Sequence, residues 1–185
     1  ETIADLVRRL LTLGSTPEQV QKTVSVNRAI NTVNQLIGYQ MRKSSVRTEL
    51  HLPREELIVA MSEGELVQVL LNLYLNAQDA MPRGGTLTVT CSRKGSRGVI
   101  EVADTGVGIE PEHLPHVFMP FYTTKGTKGY GLGLSVAESM LRAHGGRIEV
   151  HSERGRGTVF TLSLPLRVRR ERRTHGGTGD AEETT

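Results

Sequence analysis

Between Leu66 and Ala80 the apolar side chains Leu66, Val69, Leu70, Leu73, Ala77 and Ala80 return every three or four residues. That spacing puts them on one face of an α-helix, and such a face must be covered by a second layer. Ser62-Glu63-Gly64-Glu65 ahead of it has the form of a capping box, and Pro82, Gly84 and Gly85 behind it stop the helix. A chain carrying this helix has to build a layered core. Its 185 residues suit one domain with appendages.

The rest of the chain supplies the second layer. Ile30, Val33, Ile37 and Met41 mark another amphipathic helix from Asn27 to about Lys43, after which Val46, Thr48, Leu50 and Leu52 alternate against Arg47, Glu49 and His51 as a strand. Thr86 to Thr90 and Gly98 to Ala103 are β-rich runs joined at Lys94-Gly95-Ser96-Arg97, which predicts an antiparallel pair. A Gly- and Pro-rich stretch from Asp104 to Gly133 is too long for an ordinary connection and reads as a functional loop. Leu134 to Ala143 is helical, stopped by Gly145 and Gly146, and Arg147 to Ser152 and Thr158 to Leu164 form a last strand pair about Arg154-Gly155-Arg156-Gly157. This order predicts an α+β fold, a two-layer α/β sandwich with the helices on one face of the sheet.

Composition narrows the function. Lys and Arg number 23 against 20 Asp and Glu, scattered in sign, without the dense basic face of a phosphate-neutralising nucleic-acid binder. No apolar run approaches the ~20 residues of a membrane helix. Neither nucleic acid nor membrane contact is expected of these residues. With 37% hydrophobic and 23% charged residues the body is globular, and the single cysteine, Cys91, excludes an internal disulfide framework and fits a reducing, cytoplasmic setting. Residues 1–15 carry a short apolar stripe of Ile3, Leu6, Val7 and Leu10, which needs a partner to pack on, and 16–23 read as a linker. Beyond Pro165, in 166–185, Arg167, Arg169, Arg170, Arg172 and Arg173 precede a Gly/Thr/Glu end that reads as a solvated, disordered tail.

The residues with chemistry fall in three places. Gln68, Asn72, Asn76 and Asp79 are spaced by four, four and three, a stripe on the helix side away from the leucines. Carboxamide oxygens suit magnesium already carrying phosphate charge, while surface amides of no consequence are the plainer alternative. Asp104 ends a strand and is followed by Gly106 and Gly108, which let backbone approach a flat ligand, while an ordinary turn is the plainer alternative for this pattern alone. The glycine-rich run from Gly126 to Gly133 leads into a helix whose N-terminal N–H groups and dipole attract phosphate. It is neither a P-loop nor a dinucleotide fingerprint.

Together these segments resemble the catalytic ATP-binding domain of sensor histidine kinases, in the superfamily shared with gyrase, mismatch-repair ATPases and the large heat-shock chaperone. Leu66 to Met81 is similar to the family's asparagine box, Asp104 to Ile109 to its first glycine box, and Phe118 to Lys125 to its phenylalanine box. Gly129 to Ser135 resembles its second glycine box and Gly155 to Phe160 its last, so the likeness covers 24–165. The resemblance implies the Bergerat type of sandwich, with a mixed, mostly antiparallel sheet and a mobile ATP lid from Pro111 to Gly131 whose apolar anchors are Phe118 and Phe121. It implies ATP and Mg2+ as cofactors, with Asn76 on the metal, Asn72 and Asp79 lining the same site, and Asp104 accepting from the adenine amino group. Further nucleotide contacts implied are Gly106, Gly108, Ile109, Phe121, Thr123, Thr124, Tyr130, Gly131, Leu132, Gly133, Leu134 and Thr158, with Gly129 and the phosphate-facing Lys125 and Lys128.

One departure is Met119, where the family often has an acidic residue. A larger one is that none of His51, His113, His116, His144, His151 and His175 stands in the family's phosphoacceptor context. No catalytic residue is therefore assigned here; residues 1–13 resemble the end of the second dimerisation helix, whose partner helix would carry the acceptor. The resemblance implies that dimerisation hairpin, a homodimer and a response regulator as partners, in a cytoplasmic or membrane-anchored whole. The superfamily's hydrolases place a glutamate base one turn before the magnesium asparagine, where this chain has Asn72, and an amide takes no proton at neutral pH. An ATP-hydrolysing switch, a serine kinase of the anti-sigma type and a nucleotide-dead docking module are the alternatives.

Overall fold

The computed structural model describes residues 22–124 and 130–167. The expected dimerisation helix of 1–15, most of the linker, Lys125, Lys128, Gly129 and the tail beyond Arg167 lie outside the described residues. Among the described residues seven strands, β1 (Val24–Ser25), β2 (Val46–His51), β3 (Ile58–Val59), β4 (Gly85–Lys94), β5 (Arg97–Asp104), β6 (Arg147–Glu153) and β7 (Gly157–Pro165), accompany three helices. These are α1 (Val26–Lys43), α2 (Glu63–Ala80) and α3 (Gly133–Ala143), with a 3₁₀ turn at Leu114–His116.

Five strands make the main sheet in the order β2-β4-β5-β7-β6, parallel between β2 and β4 and antiparallel elsewhere. The expected two-layer sandwich and mixed sheet are what the structure shows. The β4–β5 pair runs longer than predicted, closing on Gly95 and Ser96, while β1 and β3 add a two-stranded ribbon that the alternation did not mark. Ser25 caps α1, its hydroxyl accepting from the Arg28 N–H at 3.4 Å. At α2 both halves of the predicted box are present: the Glu65 N–H donates to Ser62 Oγ at 3.2 Å and the Ser62 N–H to Glu65 Oε2 at 3.0 Å.

α2 departs from a one-faced helix. Every residue from Leu66 to Tyr74 is buried, the amides Gln68 and Asn72 included, because α1, α3 and the sheet enclose its first turns. The stripe predicted to lie away from the leucines therefore lies in the interior for two of its members. Leu66, Leu70 and Leu73 are within 1% of full burial. Each such side chain contributes about 1.5–3 kcal/mol relative to exposure, which anchors α2 as the centre of the core.

Candidate functional site

The sheet row that ends β5 is built by register. Leu87 on β4 faces Asp104 on β5, Asp104 faces Thr158 on β7, and Thr158 faces Ser152 on β6. Directly paired residues share a face, so a row that starts apolar at Leu87 turns polar for three strands beneath the helices. Asp104 is 8% exposed, and its carboxylate accepts from the Gly106 N–H at 2.8 Å and from the Thr158 N–H. Burial pushes the carboxyl above the usual carboxylate range, and those two donors only partly offset it.

The first glycine box docks on α2. A Cβ on Gly106 would stand 2.5 Å from the Ala80 carbonyl oxygen, and the next residue, Val107, donates its N–H to that oxygen at 3.0 Å. Only glycine lets the loop approach so closely. Gly157 is equally confined: its φ is +103° and a Cβ there would collide with the Asp104 carbonyl oxygen. The turn between β6 and β7 folds over the same loop through Gly155 N–H to Val107 O at 2.8 Å, Ile109 N–H to Ser152 Oγ at 2.8 Å, and an Arg154–Glu110 ion pair at 2.7 Å.

Midway along α2, Asn72 is 3% exposed and its Nδ2 donates to the Gly133 carbonyl oxygen at 3.0 Å. That bond fixes the first residue of α3 against α2. The N-cap of α3, Leu132, supplies no side-chain acceptor, so among the described residues no side-chain cap closes the first-turn N–H groups. From Asn72 to Ala80 the helix rises about 12 Å, with half-buried Asn76 between. The Asp104 carboxylate and the start of α3 are thus both referenced to one rigid element.

Residues 61–168 match the family described as histidine kinase-, DNA gyrase B- and HSP90-like ATPases. The chain belongs to this family. Among kinase relatives it is 36% identical over 166 residues to the sensor histidine kinase ZraS of Escherichia coli K12, covering 90% of this chain and 36% of that protein. Sporulation kinase D of Bacillus subtilis is 34% identical over 165 residues, 89% of this chain and 32% of that one. The chain thus spans about a third of the length of these curated relatives. The solved catalytic domain of the histidine kinase ThkA superposes with a TM-score of 0.71 at 29% identity over 78% of this chain and 94% of that one. Full-length ShkA, solved in complex with AMPPNP, gives 0.70 at 26% identity over 88% of this chain and 34% of that one.

In this histidine-kinase-type ATPase domain the predicted site residues group unevenly. Asp104, Gly106, Gly108, Ile109 and Thr158 gather at the end of β5, and Asn72, Gly131, Leu132, Gly133 and Leu134 gather where α3 starts. Asp79 is exposed near the end of α2. Thr123 and Thr124 precede the segment outside the described residues, and Tyr130 behind it is 84% exposed.

The loop's anchors differ from the expectation. Phe118 packs edge-on against Phe160 with ring centroids 6.5 Å apart, but Phe121 is 75% exposed at a φ of +64° and anchors nothing by burial. Its backbone N–H bonds the Gly131 carbonyl at 2.9 Å instead, and next to it Tyr122 makes a polar tether, its OH meeting His113 Nδ1 at 2.7 Å with the His116 ring 5.4 Å away. Ser152 was missed altogether. Its signal was hairpin arithmetic: strands closing about Arg154 to Gly157 put Ser152 opposite Thr158.

Proposed function

We propose that this chain is the ATP-binding catalytic domain of a sensor histidine kinase, which presents the γ-phosphoryl group to a histidine on a dimerisation hairpin outside the described residues, for relay to a response-regulator aspartate. The single observation that carries the reading is Asp104, a buried carboxylate at the end of β5 held by two backbone N–H groups and flanked by glycines. A buried carboxylate accepts from an amino group and repels a carbonyl oxygen, so it favours adenine over guanine at that position. The named kinase relatives support the same reading.

The residues present fit both cofactors. Among the described residues no group of three or more His, Cys, Asp or Glu is placed to hold a metal by itself. Magnesium bound through phosphates needs only one or two protein oxygens and keeps its waters, and the carboxamide of Asn76 is the proposed ligand. Bound magnesium-ATP would supply the transferable phosphoryl group. For the chain itself, Asp104 selects the base, Gly106 lets backbone reach its edge, and the start of α3 meets the phosphates. Asn72 spends its amide on Gly133 and has no basic atom, which disfavours the water-activating alternative.

Calorimetry tests the site. Asp104→Ala removes a hydrogen bond to a charged group worth roughly 1.5–3 kcal/mol, so ATP should bind about ten- to 150-fold more weakly to a folded variant. Unchanged affinity would overturn the assignment. A longer chain bearing the upstream hairpin should acquire an acid-labile, base-stable label from ATP, as phosphate on nitrogen requires; an acid-stable label would favour a serine kinase, and rapid phosphate release by the chain alone a hydrolase.

A further inference from the structure

Ser152 makes three polar contacts, and counting their hydrogens fixes the direction of each. Its Oγ lies 2.8 Å from the Ile109 nitrogen, 2.8 Å from the Gly157 carbonyl oxygen and 3.0 Å from Thr158 Oγ1. A serine hydroxyl has one hydrogen and two acceptor positions. The carbonyl of Gly157 can only accept, so the Ser152 hydrogen goes there. The Ile109 N–H can only donate, so it takes one acceptor position. The contact with Thr158 then has its hydrogen from Thr158, which fills the second.

Thr158 is 3% exposed and sits in the row beside Asp104. With its one hydrogen committed to Ser152, its hydroxyl oxygen has only lone pairs left to offer. Asp104 beside it is likewise an acceptor whose carboxylate is held by N–H donors. Two adjacent acceptors call for a ligand edge that donates, directly or through a water.

We propose that Ser152 is a positioning residue for base selection: by taking the Thr158 hydrogen it keeps the Thr158 hydroxyl an acceptor, so that the pocket accepts the amino edge of adenine and rejects a six-oxo purine. The inference rests on the nucleotide-binding reading above. The same serine ties Ile109 of the first glycine loop to Gly157 of the last, so the loops on either side of Asp104 share one hydroxyl.

Competition binding of ATP and inosine triphosphate to the full chain tests this, since the two bases differ at the six-position and its neighbouring ring nitrogen. Ser152→Ala frees the Thr158 hydroxyl to donate to a six-oxo group, and the ATP preference should fall by about three- to tenfold, the worth of one neutral hydrogen bond. Ser152→Thr, which restores the hydroxyl, should restore the preference. Ser152→Cys nearly keeps the volume but offers Thr158 only a weak sulfur acceptor and should lose the preference like alanine, which keeps the test decisive if the alanine variant does not fold. In a Thr158→Val background Ser152→Ala should leave the ratio unmoved, because the residue it acts through is gone. A parent-like ratio in folded Ser152→Ala or Ser152→Cys, or the same fall with and without Thr158, overturns the proposal. Asp104→Ala is the control: if it too binds ATP as the parent does, the base site is elsewhere, whereas weak ATP binding there with an unmoved ratio in the Ser152 variants removes only the role of Ser152.

Discussion

Replacing Gly106 by alanine probes the joint between the loop after β5 and α2. The new methyl carbon would stand 2.5 Å from the Ala80 carbonyl oxygen and 2.8 Å from both the Ala80 carbonyl carbon and Cβ. These neighbours belong to a helix and have no rotamer to escape into, so backbone must move. Overpacking of this kind costs about 1–3 kcal/mol. The shift also stretches the Val107 N–H bond to Ala80, worth about 0.5–1.5 kcal/mol. Together the loss is about 1.5–4.5 kcal/mol, or about 5–13 °C in melting temperature at roughly 3 °C per kcal/mol for a domain of this size. Because the Gly106 N–H also holds Asp104, ATP affinity should fall by up to about tenfold in the same variant. Thermal unfolding followed by circular dichroism, with and without magnesium-ATP, reads both effects. Parent-like melting and parent-like stabilisation by the nucleotide would refute the claim that this contact sets the loop.

Gly64→Ala should act with the opposite sign, since nothing lies within 4 Å of its added carbon and alanine suits the first turn of α2; a gain of about 0.4–1 kcal/mol is expected by urea denaturation, and a loss would contradict the open geometry. Asn72→Ala removes the bond to Gly133 and should cost about 0.5–1.5 kcal/mol by the same measurement, an unchanged denaturation midpoint counting against that bond. Asp104 holds its proton more tightly folded than unfolded, so it favours the fold at low pH and costs stability as pH rises from the ordinary carboxylate value of about 3.9 through the raised one. Asp104→Asn should flatten that part of the stability curve, and on acidification ATP affinity should fall earlier in the parent than in the variant; coincident profiles would mean that Asp104 does not titrate above its ordinary value.

Local rules carried much of this molecule. The capping box at Ser62 and Glu65 formed as its spacing requires, and the β6–β7 turn fell where Gly155 and Gly157 marked it. Asp104 stood out as a candidate only in company with the glycine-rich run entering α3, because a carboxylate at a strand end followed by glycines is by itself commonly just a turn. What escaped depends on partners distant in sequence. The parallel pairing of β2 with β4 aligns Val46 with Gly85, a register no single strand encodes. Asn72 read as part of an outer stripe because periodicity sees one helix at a time, whereas its burial comes from α3, more than 60 residues on, whose first residue it bonds. Phe121 read as an anchor by residue type alone, yet its left-handed backbone turns the ring outward.

The enclosure of α2 also divides it into two dynamic regimes. From Leu66 to Tyr74 the helix has no solvent face, so its backbone bonds there can break only when α1, α3 and the sheet come apart together. From Leu75 onward only Ala77 stays buried and Asp79 is exposed, and such a turn opens at lower free energy than the whole domain. Asn72 and Asn76, one turn apart, stand on either side of that boundary. The first moves only with global unfolding, while the second belongs to a stretch able to adjust locally, together with the Ala80 carbonyl on which the Gly106 loop rests.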